Sequence, residues 1–392
     1  MTQTTQMDQA MMGKLTEFGQ DFVDAAKLAY ERKYRALLDD GSAKAMRELS
    51  LQMGRDGFCG MTLPRAYGGM ELPLLTVLRV TQAFQVCDVR LGGLSHSFNT
   101  GPMGAVVALA PEKLAQRYAQ ALCRGELVMA IGISEPEAGS AATGMKTRAR
   151  IEGDHVVING SKIFVSNVTE DGCTLLYCRF GNSGTPKDIG AVVVPHDAPG
   201  FTKSKGTLNM AGDIQYELYF DECRLPADHV VVDSNAFGKL IRHYNGERLG
   251  SVARMLGNAE FCLDYAVGYV KQRRQFGREL SEFQGLQWMI ADMKVKLEAA
   301  QLLTYRAAAN AHGEEADALE TSLAKLYVGQ AAKEICDDAL QLLGGYGYMT
   351  EYPIEHRLRE TRGGSIYGGT LQIHRNMIAG HVLGRSNSQW KQ

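Results

Sequence analysis

The sequence lacks the marks by which several common classes of protein are recognised. Its eight cysteines (Cys59, Cys87, Cys123, Cys173, Cys178, Cys223, Cys262 and Cys336) include no C-x-x-C pair. That argues against a zinc ribbon or a thioredoxin-like redox centre and leaves reduced thiols packed as small apolar groups. No two of the nine histidines stand at metal-ligand spacing, and no G-x-S-x-G elbow or Walker loop occurs. The absence of G-x-G-x-x-G argues against a Rossmann nicotinamide site. A formal charge of −2 with no Lys/Arg-rich block gives no electrostatic case for nucleic acid or a membrane surface. MTQTTQMDQAMMGKLTEFGQ has no basic flank leading into an apolar core, and no run reaches transmembrane length. The expectation is a soluble cytoplasmic protein.

What remains is ordinary in composition, 45% apolar and 22% charged over 392 residues, enough for two or three domains. Three zones follow one another. Up to about residue 125 the period is helical: FVDAAKLAYERKYRALL and LLTVLRVTQAFQVC place apolar residues three and four apart, with GFCGMTLPRAYGGMELP as a loop between them. From about 126 to 235 come short β-branched and aromatic runs, HVVING, KIFVSN, TLLYCRF, IGAVVVP and YELYF, the pattern of an antiparallel sheet or small barrel. From about 240 the helical period returns. Leu286, Met289, Ile290, Met293 and Leu297 form one stripe, and LETSLAKLYVGQAAKEICDDALQLLGG stops at Gly344 and Gly345, which predicts a bundle.

Singly, the polar motifs are weak. ISEPEAGS (133–140) reads as a polar turn, QLLGGYGY as a helix C-cap, and RRQFG as cations placed against a helix dipole. SIYGGTLQIHR is more pointed. Thr370 is a plausible N-cap for a helix whose apolar stripe is Ile373, Met377, Ile378 and Val382. The glycine pair before it lets backbone N–H groups approach a ligand, yet the stretch holds no acid, base or nucleophile.

In chain order, ISEPEAGSAATGMKT, GSKIFVSN, RRQFG, EFQGLQWMIADM, QLLGGYGYMTEYPIEH and IYGGTLQIHR resemble the acyl-CoA dehydrogenase family over essentially the whole sequence. The resemblance implies an α+β, mostly α fold: an N-terminal helical domain (1–125), a middle antiparallel β-barrel or sandwich domain (126–235) and a C-terminal four-helix bundle (236–392). It implies FAD held between β-domain and bundle, with its adenosine part reaching a neighbouring subunit, and hence a homo-oligomer, dimer or tetramer. Ser134 and Ser140 would contact the flavin ring. Phe164 and Ser166 stand at the usual W-x-T/S position, so a phenyl face replaces indole and its N–H donor. Arg273 would approach the pyrophosphate across the interface, with Phe276 and Gln284 beside it. Gln341, Gly344 and Gly345 would admit the partner chain's cofactor, and Thr370 and Gln372 would contact FAD from the last helix.

The family reaction takes a proton from the carbon beside a thioester carbonyl and moves a hydride from the next carbon to flavin N5. Electrons then pass to an electron-transfer flavoprotein. The enolate needs donors fixed where its charge develops, one being the backbone N–H beside the usual base. Here that N–H is Gly368's, because Y-G-G-T replaces the common Y-E-G-T. A minority of the family carries the base on the first bundle helix in a motif like x-E-R-L. HYNGERLGSVARM places Glu247 and Arg248 there, so the resemblance implies Glu247 as base, with Arg248 and Tyr367 near the substrate. Asp213 and Gln215 fall where relatives differ around the substrate mouth. Arg90 would meet an anionic acyl end or form a surface ion pair. The same site could run backward as an enoyl-CoA reductase. Relatives with glycine at the first base position also resemble desulfinases acting without redox chemistry, although those carry glutamine where this sequence keeps Glu247.

Overall fold

Over residues 14–313 and 315–384, the computed structural model of the chain runs helix, sheet, helix. Residues 1–13, part of the segment read above for a leader, lie outside the described residues. The first periodic stretch makes α1 (Gln20–Ala29), one π-turn (Tyr30–Tyr34) and α2 (Arg35–Asp40). Then come α3 (Ala43–Arg55), capped by the Ser42 hydroxyl, and α4 (Leu74–Cys87). α4 is buried from Leu74 to Gln85 on all sides because helices cover it all round. α5 (Val89–Asn99), α6 (Met103–Leu109) and α7 (Glu112–Cys123) complete the helical half.

The sheet comprises β1 (Met129–Gly132), β2 (Arg148–Glu152), β3 (His155–Val165), β4 (Cys173–Arg179), β5 (Ile189–Pro195), β6 (Phe201–Lys203), β7 (Thr207–Leu208), β8 (Ile214–Pro226) and β9 (Val230–Val232). Its order is β6-β8-β3-β2-β4-β5-β9, with β1 on β4 and β7 on β8. The sheet is mixed, not purely antiparallel: β1 and β2 both pair with β4 in parallel. HVVING and KIFVSN are one strand, β3, bent at Gly160, where a Cβ would stand 2.6 Å from the Thr147 hydroxyl. Every residue of β4 is buried. Cys173, Leu175 and Tyr177 join the core under the N-terminal helices, while Leu176 and Cys178 face the sheet's own core.

The bundle begins with α8 (Phe237–Gln272), 36 residues long. Gly250 and Gly257 let it press on α5 and α4. A Cβ at Gly250 would meet the Thr100 hydroxyl, and one at Gly257 would stand 2.6 Å from Gln85. RRQFG does not simply end this helix. It forms a hairpin of β10 (Arg274–Gln275) and β11 (Arg278–Glu279), turned by Phe276 and Gly277 at φ 53° and 79°. α9 (Gln284–Ala309) and α10 (Ala318–Leu343) follow, the latter stopping at Gly344 with φ 60°. α11 (Ile354–Gly363) and α12 (Leu371–Val382) close the fold. On α12 the expected stripe is only partly covered: Val382 is 74% exposed, and the buried residues are His374 and Gly380.

Candidate active site

The ISEPEAGS loop is held by its first carboxylate. Glu135 is buried and accepts from Lys162 Nζ (2.7 Å), Thr147 N (3.0 Å) and Lys146 N. Ile163 N donates to Ser134 O at 2.9 Å, so β3 carries the loop. The polar-turn reading thus accounts for Glu135, while Ser140 stays exposed and Ser134 half-buried. At the end of β3, Phe164 has φ 57° and is 69% exposed. A left-handed backbone at an aromatic residue is uncommon, and here it turns a bare ring outward. Ser166 beside it is exposed, and Asn167 donates to Ser97 Oγ at 3.0 Å, tying this rim to α5.

At the far end of α8, four residues singled out from two motifs converge. Arg273, Gln341, Gly344 and Gly345 line one cleft of about 510 Å³ together with Tyr346 and Met349. Phe276 at the hairpin tip is 93% exposed, and Gln284 opens α9 at the surface. Thr370 caps α12, accepting from Ile373 N at 3.4 Å, and Gln372 is exposed on its first turn. A second cleft, about 500 Å³, lies on the sheet among Thr143, Lys146, Arg148, Arg179 and Asn182.

Glu247 stands in the first half of α8. Its neighbours Asn245, Gly246 and Arg248 are buried on α8, and its own Oε2 is buried with no hydrogen-bond partner. Burial pushes the Glu247 carboxyl up to about 8, against the pull of Arg248 and Lys325. Arg248 donates through Nε to Gly368 O (2.8 Å) and through Nη1 to Asn245 Oδ1 (2.8 Å). The first bundle helix and the Y-G-G-T turn are therefore joined at the residue beside the candidate base. Gly368 and Gly369 have φ 72° and 94°, a conformation that side chains resist. Tyr367 is 39% exposed.

Two features escaped the sequence reading. Lys325 on α10 is fully buried, donates to Ser251 Oγ at 2.9 Å, and lies 3.4 Å from where a Cβ at position 368 would stand. Its spacing from Thr321 and Val328, both buried, was the available signal, since it puts a lysine on the covered face. Arg254 pairs with Glu360, which also accepts from Gln85 and Asn258. Arg90 is not brought to this site. It pairs with Asp88 at 2.8 Å and donates to Leu38 O at 2.8 Å, fastening α5 to the end of α2. Asp213 stands on a turn that α11 holds through His356 and Arg359, which donate to Ala211 O and Met210 O. All eight cysteines are free, and among the described residues no metal-holding cluster and no membrane-crossing helix occurs.

Comparison with known proteins agrees with this arrangement. Three family models match in order: the acyl-CoA dehydrogenase N-terminal domain over residues 16–126, the middle domain over 130–223 and the C-terminal domain over 238–383. The chain is 36% identical over 355 residues to a 3-sulfinopropanoyl-CoA desulfinase of Paraburkholderia xenovorans, covering 89% of each. It is 32% identical over 337 residues to a short-chain specific acyl-CoA dehydrogenase of Clostridium acetobutylicum, covering 85% of this chain and 88% of that one. Butyryl-CoA dehydrogenase from Megasphaera elsdenii superposes with a TM-score of 0.86 at 27% identity, over 93% of this chain and 98% of that one. The chain belongs to the acyl-CoA dehydrogenase family.

Proposed function

We propose that the protein is an FAD-dependent acyl-CoA dehydrogenase in which Glu247 removes the α-proton of an acyl-CoA thioester. The observation that carries this is the buried Glu247 carboxyl, with one oxygen unpartnered and its proton affinity near neutral, beside the Gly368 turn. A base poised near the working pH transfers a proton with least mismatch.

The residues present fit FAD. Phe164 offers an aromatic face at the sheet edge, with Ser134, Ser140 and Ser166 as nearby hydroxyls. The cleft of Arg273, Gln341, Gly344 and Gly345 combines a cation with close backbone approach, which suits a diphosphate. Phe276, Gln284, Thr370 and Gln372 complete the set, with the Thr370 hydroxyl already engaged in capping α12. Bound there, FAD supplies the acceptor for the hydride from the β-carbon. The chain's own work is on the proton. Glu247 takes it from the α-carbon, Gly368 N–H faces the thioester oxygen as its charge develops, and Arg248 fixes the turn by holding Gly368 O. Lys146 and Arg148, in the cleft on the sheet, are suited to the phosphates of CoA.

A homo-oligomer fits the exposed apolar groups. Trp288, Val295 and Leu302 recur every seven residues along α9, and Phe276 at its hairpin tip stays exposed although it meets the Phe283 ring edge-on at 6.2 Å. We assign the three domains to 1–125, 126–235 and 236–392, and an electron-transfer flavoprotein as the electron acceptor.

Gly368 and the desulfinase relative favour a second reading, elimination from a sulfinated acyl-CoA without net redox. The test mixes anaerobic FAD-bound protein with saturated acyl-CoAs of increasing length while flavin absorbance is followed. Bleaching by one or more, lost in Glu247→Gln, is expected. Sulfite release from 3-sulfinopropanoyl-CoA without any bleaching overturns the dehydrogenase in favour of the eliminase. An enoyl-CoA that reoxidises the reduced protein reports the reverse direction.

A further inference from the structure

Lys325 is a buried amine with no carboxylate bonded to it. Its Nζ gives one hydrogen bond, to Ser251 Oγ (2.9 Å), and stands 5.1 Å from the centre of the Tyr367 ring. An ammonium has three donors, and burying it without full pairing is costly. Buried titratable groups of this kind cluster at functional sites. The position is specific: a Cβ at Gly368 would meet Lys325 Nζ at 3.4 Å and Cε at 3.6 Å. Lys325 Nζ therefore lies on the side-chain face of the residue whose N–H, in the proposed reading, faces the thioester oxygen. Arg248 packs on the same face, its Cγ 3.7 Å from that Cβ position, and fastens the residue by its bond to Gly368 O.

We propose that Lys325 is the positioning residue of proton abstraction: packed against Gly368, it sets the Tyr367–Gly369 turn and supplies positive potential where the enolate's charge develops. This rests on the reading of Glu247 as base. The step itself is balanced. The α-C–H bond breaks, its proton bonds to a Glu247 oxygen, and the electron pair moves onto the thioester oxygen, with Lys325 neither gaining nor losing a proton.

The groups that act on this pair come from several elements. Tyr244 and Arg248 on α8 and Tyr177 on β4 face Glu247, along with Lys325 itself. Around Lys325 stand Arg248 and Arg254 on α8, His96 on α5 and His374 on α12. Burial pushes both histidines down to about 3, so they are neutral at the working pH and add no charge that competes with Lys325. Burial, then Arg248, also brings Lys325 itself down to about 7, with Glu247 holding it up. A negative enolate in front of Gly368 favours the ammonium further.

The test uses acetoacetyl-CoA, whose enolate absorbs in the ultraviolet, bound to FAD-loaded wild-type protein and to the Lys325→Met, Lys325→Gln and Glu247→Gln variants. Methionine matches the volume and removes a buried charge, so that variant is expected to fold, as its melting temperature will show. In Lys325→Met the bound ligand's apparent pKa should rise by one unit or more, a tenfold loss of enolate at fixed pH. Acyl-CoA binding should change less than threefold. Lys325→Gln, which keeps a donor but no charge, should fall between, and it serves alone if the methionine variant does not fold. A purely structural lysine would change the melting temperature and leave the enolate pKa in place, and that result overturns the proposal. The base reading fails separately, if Glu247→Gln still exchanges the α-proton of a saturated acyl-CoA with solvent deuterium at the wild-type rate.

Discussion

The molecule buries two carboxylates near lysines and treats them oppositely. At the sheet, Glu135 accepts from Lys162, Thr147 and Lys146, and Lys162 spends a second donor on Ile133 O. Burial works to raise the Glu135 carboxyl, but Lys162 and these bonds bring it below its ordinary value. In the bundle, Glu247 has the same kind of neighbours, Arg248 and Lys325, and neither bonds to it. Their donors go to Gly368 O, Asn245 and Ser251, and the Glu247 carboxyl rises to about 8. Pairing is what separates them. A satisfied buried ion pair fixes a loop, whereas a buried acid kept off its cations holds a proton it can exchange.

Exchanging the roles by mutation sharpens the contrast. Glu247→Gln should cut α-proton exchange by about 10³-fold, roughly 4 kcal/mol of barrier, while Glu135→Gln leaves exchange within a few-fold wherever the protein folds. Deuterium incorporation into a saturated acyl-CoA, followed by mass spectrometry, measures both. Stability should rank them the other way. Glu135→Ala strands Lys162, which is fully buried, and should cost about 3 kcal/mol in urea unfolding. Glu135→Ala unfolding at the wild-type midpoint would mean that the pair is not what holds the loop.

Glu247 should even be a liability to the fold, and the sign depends on pH. Its folded value, about 8, lies above the ordinary 4.5. Below 4.5 both folded and unfolded states are protonated and nothing is lost. Between 4.5 and about 8 the unfolded chain ionises first, so stability declines as pH rises, and the decline ends above the folded value. Glutamine cannot ionise. Glu247→Gln should therefore gain over wild type on the order of 2 kcal/mol at pH 9 compared with pH 4, allowing for the group's partial contact with solvent. Melting curves across that range, without ligand, test it, and a gap that does not widen with pH would contradict the assignment.

The division between legible and hidden parts follows the same physics. Helix α4 was readable to the residue because twelve of its positions are buried and proline precedes it. The residues that converge on the Arg273 cleft were reached through the family resemblance, because each motif taken alone reads as no more than a helix end. The β10–β11 hairpin was not: its turn has Phe276 where asparagine or glycine is usual, so nothing local announces a left-handed residue. The α12 stripe misled because what covers this helix is α10, whose Ser322 meets both His374 and Met377 while Val382 at the end of the stripe stays exposed. Lys325 stayed hidden for a related reason. A lysine between buried positions reads as an exposed residue until tertiary structure closes over it.

The smallest expected effect comes from a second pair of like residues, Arg248 and Arg90. Both are arginines on a helix and both donate to a backbone carbonyl, Gly368 O and Leu38 O, at 2.8 Å. Arg248 is 7% exposed, so its bond lies in a poorly screened interior and holds the Gly368 turn. The Arg90 side chain is 44% exposed, and its partner Asp88 already caps α5 by accepting from Arg90 N. Solvent screens such a pair, and the cap outlives the side chain. Arg90→Ala should cost at most about 1 kcal/mol of stability and leave the acyl-CoA dissociation constant within twofold for neutral and carboxylated chains alike. A selective loss of carboxylated acyl-CoA binding would place Arg90 at an anionic acyl end after all. It would also show that the contacts to Asp88 and Leu38 are surrendered when substrate enters.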